Sequence, residues 1–368
     1  MYLSKGIAMF EKIERKIIKC ILMKMGYSAY MSAELAKEIK EDLIETKVSV
    51  HKRMWAYNHG FLARRIHDYG LNESNYKDYE NDFHYLKLHP INDYSKWIDD
   101  KLTTRYMLYP FSEYLPKYYY ELRNGNVHKL IDCPEELSAD ISSVIDLLNL
   151  KTNIALKQVS GTGGIGFYKL SKQEDRYLIN NQMMNKDEIR IFIAGLNKYI
   201  VTEYLISHEY IRKIYSISPN TLRIIVAHNE NENPIIIGSF FRFGTKSTGV
   251  VDNVDAGGML CGVDIETGQF YNPKYRNKDS WIQTNVHVDT KVKIEGIVPH
   301  WNLITKKIIE ICNYLPQLKY LGFDIIVTDG GFKIIEINSH IGICTTQMYY
   351  PMLKNSHLRR LFNKDNEK

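Results

Sequence analysis

The stretch Tyr320-Leu-Gly-Phe-Asp324-Ile-Ile-Val-Thr-Asp-Gly-Gly-Phe-Lys-Ile-Ile-Glu336-Ile-Asn338 constrains the fold more than any other part of the chain. Two apolar runs flank Asp329-Gly330-Gly331, residues that tolerate the backbone angles of a tight turn, so the segment reads as a β-hairpin. Side chains alternate along a strand, and the length of the turn therefore decides which of them meet. A three-residue turn sets Thr328 against Phe332, brings Asp324 opposite Glu336 and leaves Asn338 on the same side. A two- or four-residue turn sends the two carboxylates to opposite faces. Facing carboxylates repel unless protonated or bridged, and a carboxamide oxygen beside them makes an all-oxygen nest for a hard cation, magnesium being the natural occupant. Acidic residues on a solvent face are the plain alternative.

A second feature is Lys157-Gln-Val-Ser-Gly161-Thr162-Gly163-Gly164-Ile-Gly166, a strand running into a glycine-rich loop. Closely spaced glycines let consecutive backbone N–H groups approach phosphate oxygens, and a lysine at the strand end supplies a point charge. Gly161, Gly163 and Gly166 match G-x-G-x-x-G, but that motif opens a helix, whereas Phe167-Tyr-Lys-Leu here reads as another strand. No Gly-Lys-Ser/Thr ends the run, which excludes a P-loop. A hairpin lid over a nucleotide remains, beside the alternative of an ordinary turn. Further on, Arg223 and Arg242 lie on apolar strand candidates at 221–228 and 234–243. An arginine there is costly unless an anion pairs with it, so both are candidates to face phosphate or carboxylate, or a buried structural partner. The loop from Asp252 to Gly258 is rich in residues that suit ligand-closing turns.

The rest of the 368-residue chain is that of an ordinary globular enzyme, with 44% hydrophobic and 25% charged residues and a net charge of +5. Five scattered cysteines form no C-x-x-C pair, and no run approaches the length of a membrane span, so a cytoplasmic protein without a nucleic-acid partner is expected. Residues 10–48 read as helical, with Phe10, Ile13, Ile17, Ile21 and Met25 forming a stripe and Lys12, Lys16, Lys19 and Lys24 lying off it. Such a helix docks its stripe on the domain or lies on an anionic membrane surface, and docking is the expectation. Helical, aromatic-rich segments continue to about residue 95. A helix after Pro134-Glu135-Glu136 and strands at 153–159, 198–206, 322–327 and 332–337, with a helix over 302–313, give an α+β architecture.

Taken in this order, the pieces resemble the ATP-grasp superfamily. Asn220-Thr-Leu-Arg223, Val251-Asp252-Asn253 with Gly257-Gly258, and Gly322-Phe-Asp324 with Glu336-Ile-Asn338 resemble its sugar-transfer-associated group, found with bacterial surface-polysaccharide genes. The resemblance implies two α+β lobes clasping ATP, over residues 96–200 and 201–368, behind a helical region at 1–95 that binds the acceptor or a partner. It implies that Lys101, in Trp97-Ile-Asp-Asp-Lys101, and Lys157 hold the α- and β-phosphates while Gly161, Thr162, Gly163, Gly164 and Gly166 cover them. Glu203, Tyr204, Leu205 and Ile206 would flank adenine, with Glu209 or His208 near the ribose. Asp324, Glu336 and Asn338 would hold Mg2+, two ions in all, and Arg223 and Arg242 would stabilise the transferring group. Most such enzymes activate a carboxylate as an acylphosphate and capture it with an amine. Here the expectation is an ATP-dependent ligase acting on a uronic acid of a surface polysaccharide or its precursor. A phosphotransferase and a non-catalytic nucleotide-binding scaffold are the alternatives. The acceptor, a small molecule or glycan, is sought between the helical region and the loop 246–258, near His300, Trp301 or His340. The oligomeric state is left open.

Overall fold

A computed structural model describes residues 16–362 apart from 162, 163, 165, 175, 230, 278 and 279. Two seven-stranded sheets organise it, and every ladder in both is antiparallel. The first contains β1 (Tyr118–Arg123), β2 (Asn126–Lys129), β3 (Asn153–Gln158), β4 (Tyr168–Gln173), β5 (Arg176–Ile179), β6 (Gln182–Met184) and β7 (Tyr199–Glu203), in the order β2-β1-β7-β3-β4-β5-β6. The second contains β8 (Thr221–Ala227), β9 (Ile235–Phe243), β10 (Met259–Val263), β11 (Phe270–Asn277), β12 (Ser280–Gln283), β13 (Tyr320–Thr328) and β14 (Gly331–Asn338), in the order β12-β11-β10-β9-β8-β13-β14. The expected α+β class holds.

The first sheet packs on the helices Ile141–Lys151 and Lys186–Ala194 through Val144, Ile145, Leu148, Ile189 and Ile193. The first of these begins later than Pro134 suggests, because Asp140 is its cap, accepting from the Ser143 backbone N–H at 2.8 Å. The second sheet is covered on both sides. Helix Trp301–Tyr314 lays Trp301, Ile304, Ile308 and Ile311 against Leu222, Ile224, Phe241, Phe323 and Ile325. On the other face Ile225, Ala227, Leu260 and Tyr320 meet Tyr85 from the N-terminal helices and Met352, Leu358 and Phe362 from the C-terminal segment. Burial on both faces explains why β8 and β13 read as continuous apolar runs without alternation. Asn92 fastens the N-terminal region to this sheet, donating to the carbonyls of Tyr320 and Ser339 at 2.7 Å each and accepting from the backbone N–H of Lys319 at 2.6 Å.

The continuous helix expected over 10–48 is interrupted. Its described part is a helix at 16–24, a turn, and a new helix Ala29–Glu45 capped by Ser28, whose hydroxyl accepts from Met31 N–H at 3.2 Å. The stripe docks differently from the expectation: Leu22 and Ile18 pack with Tyr27, Leu35 and Ala36, while Ile17, Ile21 and Met25 are exposed. Phe10, Ile13 and Lys12 lie outside the described residues. Among the described residues no helix is long and apolar enough to cross a membrane.

The hairpin of β13 and β14 departs from its expected turn. Thr328 pairs with Gly331, so the turn has two residues, a length that alone would send Asp324 and Glu336 to opposite faces. Between Ile325–Ile334 and Asp324–Glu336 the register shifts, with Ile335 as the extra residue of a β-bulge. The bulge reverses the effect of the short turn, and the two carboxylates pair.

Ile308 lies in the middle of the helix on the second sheet and is fully buried. Ile308→Ala should lower unfolding free energy by about 2–5 kcal/mol, read from the urea midpoint, because the sheet beneath cannot collapse into the vacated volume.

Candidate active site

A cavity of about 520 Å³ opens where the first sheet and its glycine-rich loop meet the open end of the second. Lys101, Lys157, Gly161 and Gly164 line it from the first side; Thr221, Arg223, Arg242, Asp324, Glu336 and Asn338 line it from the second sheet. The loop carrying Val250 to Asn253 and Asp255 borders it. Every sequence-derived lysine, arginine and metal-ligand candidate therefore faces one space.

The centre of the second-sheet wall is ionic. Arg223 on β8 pairs across the ladder with Asp324 on β13. Its Nε donates to Asp324 Oδ1 at 2.6 Å and its Nη2 to Oδ2 at 3.0 Å, a bidentate fork. Arg242 adds a second guanidinium, with Nη2 at 3.2 Å from Asp324 Oδ1. Burial drives the Asp324 carboxyl upward, but the two arginines more than offset this and hold it below the usual carboxylate range. Position 322 must be small for this geometry, since a Cβ there would lie 2.9 Å from Arg223 Nη1 and 2.7 Å from the Ile341 side chain.

Arg242 is itself positioned. Its Nε and Nη2 donate to Thr221 Oγ1 at 2.9 and 2.7 Å, and Asp252 accepts from both the Thr221 backbone N–H, at 2.8 Å, and the Thr221 hydroxyl. Asn220 holds the start of β8, donating to Tyr215 O at 2.7 Å and accepting from Gly244 N–H at 3.0 Å. Thr221 and Asp252 thus belong to the site, although only their motifs, Asn-Thr-Leu-Arg and Val-Asp-Asn, are visible in the sequence. Their contact depends on a loop thirty-one residues further along the chain.

Glu336 behaves differently from its neighbour. Burial raises its carboxyl above the usual range; Lys101 pulls it down, and the charge of Asp324 pushes it up again. Lys101 Nζ lies 3.5 Å from Glu336 Oε1 and donates to Gly161 O at 3.1 Å, so one ammonium bridges the glycine-rich loop and the hairpin. It begins a helix capped by Asp100, whose carboxylate accepts from Thr103 N–H at 2.8 Å. Lys157 on β3 is pushed down to about 8, first by burial and then by the charge of Lys101, with Glu336 partly opposing. Asn338 donates its amide N–H to Gly322 O at 3.4 Å, which leaves its amide oxygen as an acceptor. Gly164 and Gly166 adopt positive φ of 73° and 72°, which their residue type permits at no steric cost. Thr162 and Gly163 lie outside the described residues.

Other sequence candidates fall elsewhere. Glu203 ends β7, Tyr204, Leu205 and Ile206 form the connection leaving it, and none of the four lines the cavity. Glu203 exchanges contacts with the Lys117 backbone, accepting from its N–H at 3.2 Å and donating to its carbonyl at 2.9 Å. Lys169 Nζ sits 4.7 Å from the Tyr204 ring centre, while Leu205 is buried and Ile206 exposed. Glu209 pairs with Lys213 at 2.9 Å on the surface, and His208 caps the same helix. His300 precedes helix Trp301–Tyr314 in a left-handed conformation, and Trp301 is buried beneath Gly268. Only His340 of these weaker candidates borders the cavity. It stacks on Tyr85 with ring centres 4.5 Å apart, and burial pushes its imidazole down to about 3, leaving it neutral.

Among the described residues no three His, Cys, Asp or Glu side chains are grouped to hold a metal by themselves. Two carboxylates and a carboxamide do share the hairpin wall. That donor set fits magnesium, which typically takes one or two carboxylates and completes its shell with water and ligand phosphate.

A search of curated proteins returned no match. Among solved structures, N5-carboxyaminoimidazole ribonucleotide synthetase from Thermotoga maritima superposes with a TM-score of 0.37 at 12% identity, over 73% of this chain and 50% of that one. D-alanyl-alanine synthetase A from Vibrio cholerae gives 0.42 at 13% identity, over 73% of this chain and 65% of that one. Biotin carboxylase from Campylobacter jejuni gives 0.42 at 11% identity, over 73% and 46%. The chain thus spans between about half and two thirds of the length of these proteins. The model of the sugar-transfer associated ATP-grasp family matches residues 81–360, a span that takes in both sheets and every residue of the charged cavity. The chain belongs to the sugar-transfer associated ATP-grasp family, and its two-sheet α+β architecture is an ATP-grasp fold.

Proposed function

We propose that this protein is an ATP-dependent ligase that activates a carboxylate as an acylphosphate and joins it to an amine. The proposed carboxylate is a uronic acid of a surface polysaccharide or its precursor. The reading rests on one observation, the charge make-up of the cavity: Lys101, Lys157, Arg223 and Arg242 against Asp252, Asp255, Asp324 and Glu336. Closely mixed cationic and anionic side chains suit a polyanion that brings its own counter-cation, as a magnesium triphosphate does.

In this reading Lys101 and Lys157 bind phosphate oxygens, and the backbone of the loop around Gly161 to Gly166 shields them from water. Asp324, Glu336 and Asn338 hold the magnesium, which when bound would neutralise charge on the phosphates. Arg223 and Arg242 each keep N–H groups beyond those spent on Asp324 and Thr221, and these donate to the oxygens of the transferring phosphoryl group or the acylphosphate. The donors are preorganised, because Asp324, Thr221 and Asp252 fix the guanidiniums before any ligand arrives. The segment Glu203–Ile206 and Glu209 would contact the base and ribose from the connection between the sheets. The family's association with sugar transfer supports a sugar carboxylate as substrate.

The reaction class is tested by ADP release measured across amino compounds paired with uronic acids or nucleotide-linked uronic acids. Release that requires both partners, with a product whose mass is that of an amide, supports the ligase. Release with one acceptor and a phosphorylated product identifies a phosphotransferase, and ATP binding without turnover identifies a scaffold. Glu336→Gln, which keeps size and removes charge, should slow ADP release by roughly a hundredfold or more while leaving the melting temperature within a few degrees. Unchanged turnover would remove Glu336 from the site.

Lys157 supplies a pH signature. Its ammonium is present below about 8 and lost above it in the free protein, while bound phosphate raises its pKa. Affinity for magnesium-ATP, measured by calorimetry, should therefore hold steady below about pH 8 and weaken above it by up to about tenfold per unit. Lys157→Arg should bind with a flat profile across the same range, since a guanidinium does not titrate there.

A further inference from the structure

We infer that the N-terminal helices form a docking surface for an anionic lipid bilayer. The stripe expected to bury itself on the domain does not do so: Ile17, Ile21 and Met25 are 55%, 53% and 55% exposed, because the helix at 16–24 packs through Ile18 and Leu22 instead. Spacing of four residues puts Ile17 and Ile21 one above the other, and Lys16 and Lys24 flank them on the side away from Leu22. Further exposed apolar side chains follow in the same N-terminal stretch of the chain. Leu43 and Ile44 are exposed at the end of helix Ala29–Glu45, and Val50 and Met54 at the start of helix Val50–Asn58.

These last four side chains are held in place from beneath. Buried Asp42 accepts from Arg53 Nη1 at 3.1 Å, from the Tyr57 hydroxyl at 2.9 Å and from the backbone N–H groups of Ala63 and Arg64 at 3.1 and 2.9 Å. This clamps the two helix ends together and leaves the flanking positions outward. Of the twenty-three exposed large hydrophobic residues among those described, nine fall between Ile17 and Met54. Exposed apolar residues are ordinarily scattered along a chain, so this concentration sets the N-terminal helices apart from the rest of the described residues.

Charge identifies the occupant. Residues 16–25 carry Lys16, Lys19 and Lys24 and no acidic residue. A second copy meeting this stripe about a two-fold axis would set lysines against lysines, which disfavours a homodimer there. Anionic headgroups complement them, and lysine stems can lie along the apolar stripe while their ammonium groups reach the headgroups. The face is independent of the nucleotide cavity, so the inference stands or falls apart from the ligase reading.

The test is sedimentation of the full chain with vesicles of phosphatidylcholine alone or mixed with phosphatidylglycerol. Partition to the mixed vesicles should exceed that to neutral ones by about tenfold or more and fall as salt rises. The double variant Ile17→Glu, Ile21→Glu should lose this preference and keep the parent's melting temperature. Equal partition to both lipids, or a preference indifferent to salt, overturns the inference on the parent protein alone, without recourse to the variant. So does velocity sedimentation in which the parent self-associates and the variant does not.

Discussion

The buried fork between Arg223 and Asp324 is the interaction on which the rest of the site depends. It lies between the neighbouring strands β8 and β13 of the second sheet, both buried, where desolvating a guanidinium and a carboxylate costs several kcal/mol each unless their geometry is good. The ladder supplies that geometry, since Cα pairing of the two residues sets the side chains side by side. Gly322 leaves room for the guanidinium, and Arg242 adds a second positive group on the same carboxylate oxygen. An ion pair so placed adds little net stability compared with an apolar isostere. Its value is in fixing where three charged groups stand before any ligand binds, which is the requirement for electrostatic catalysis.

The same pair explains why two neighbouring carboxylates differ in character. Asp324 is compensated by two arginines and lies below the ordinary carboxylate range, whereas burial outweighs the pull of Lys101, Arg223 and Lys157 on Glu336 and raises it. An incoming cation therefore meets one carboxylate already neutralised and one in need of charge. Lys101 couples this to the glycine-rich loop, because its ammonium is shared between Glu336 and Gly161 O. Under the proposed function, a cation at Glu336 would release Lys101 toward a phosphate, so the two would assist one another through a single side chain.

Much of this was legible in the sequence, though not always for the right reason. The pairing of Asp324 with Glu336 follows from strand alternation only if the turn has three residues, and it has two. The bulge at Ile335 restores the pairing, and nothing in Lys333-Ile-Ile-Glu336 distinguishes a bulged strand from a regular one, since isoleucine suits both. Arg223 and Arg242 were readable as anion-facing because their strands are otherwise apolar. Their partners were harder to see, because Asp252 reaches Thr221 from a loop and cross-strand order is not a local property of sequence. The connection Glu203–Ile206 sits at the end of β7 as its pattern indicates, yet outside the charged cavity.

The N-terminal helix teaches the converse lesson. Periodicity at 17, 21 and 25 correctly marked a coherent apolar stripe, but periodicity reports only that a face wants to leave water, not what receives it. Adjacent positions Ile18 and Leu22 repeat with the same spacing, one residue out of phase, and they meet Tyr27, Leu35 and Ala36 instead. A helix with two apolar stripes side by side can satisfy one on its own domain and keep the other. The cost of exposing the second stripe, roughly 1.5–3 kcal/mol for each large side chain that forgoes full burial, is then offset wherever an apolar, anionic surface is at hand.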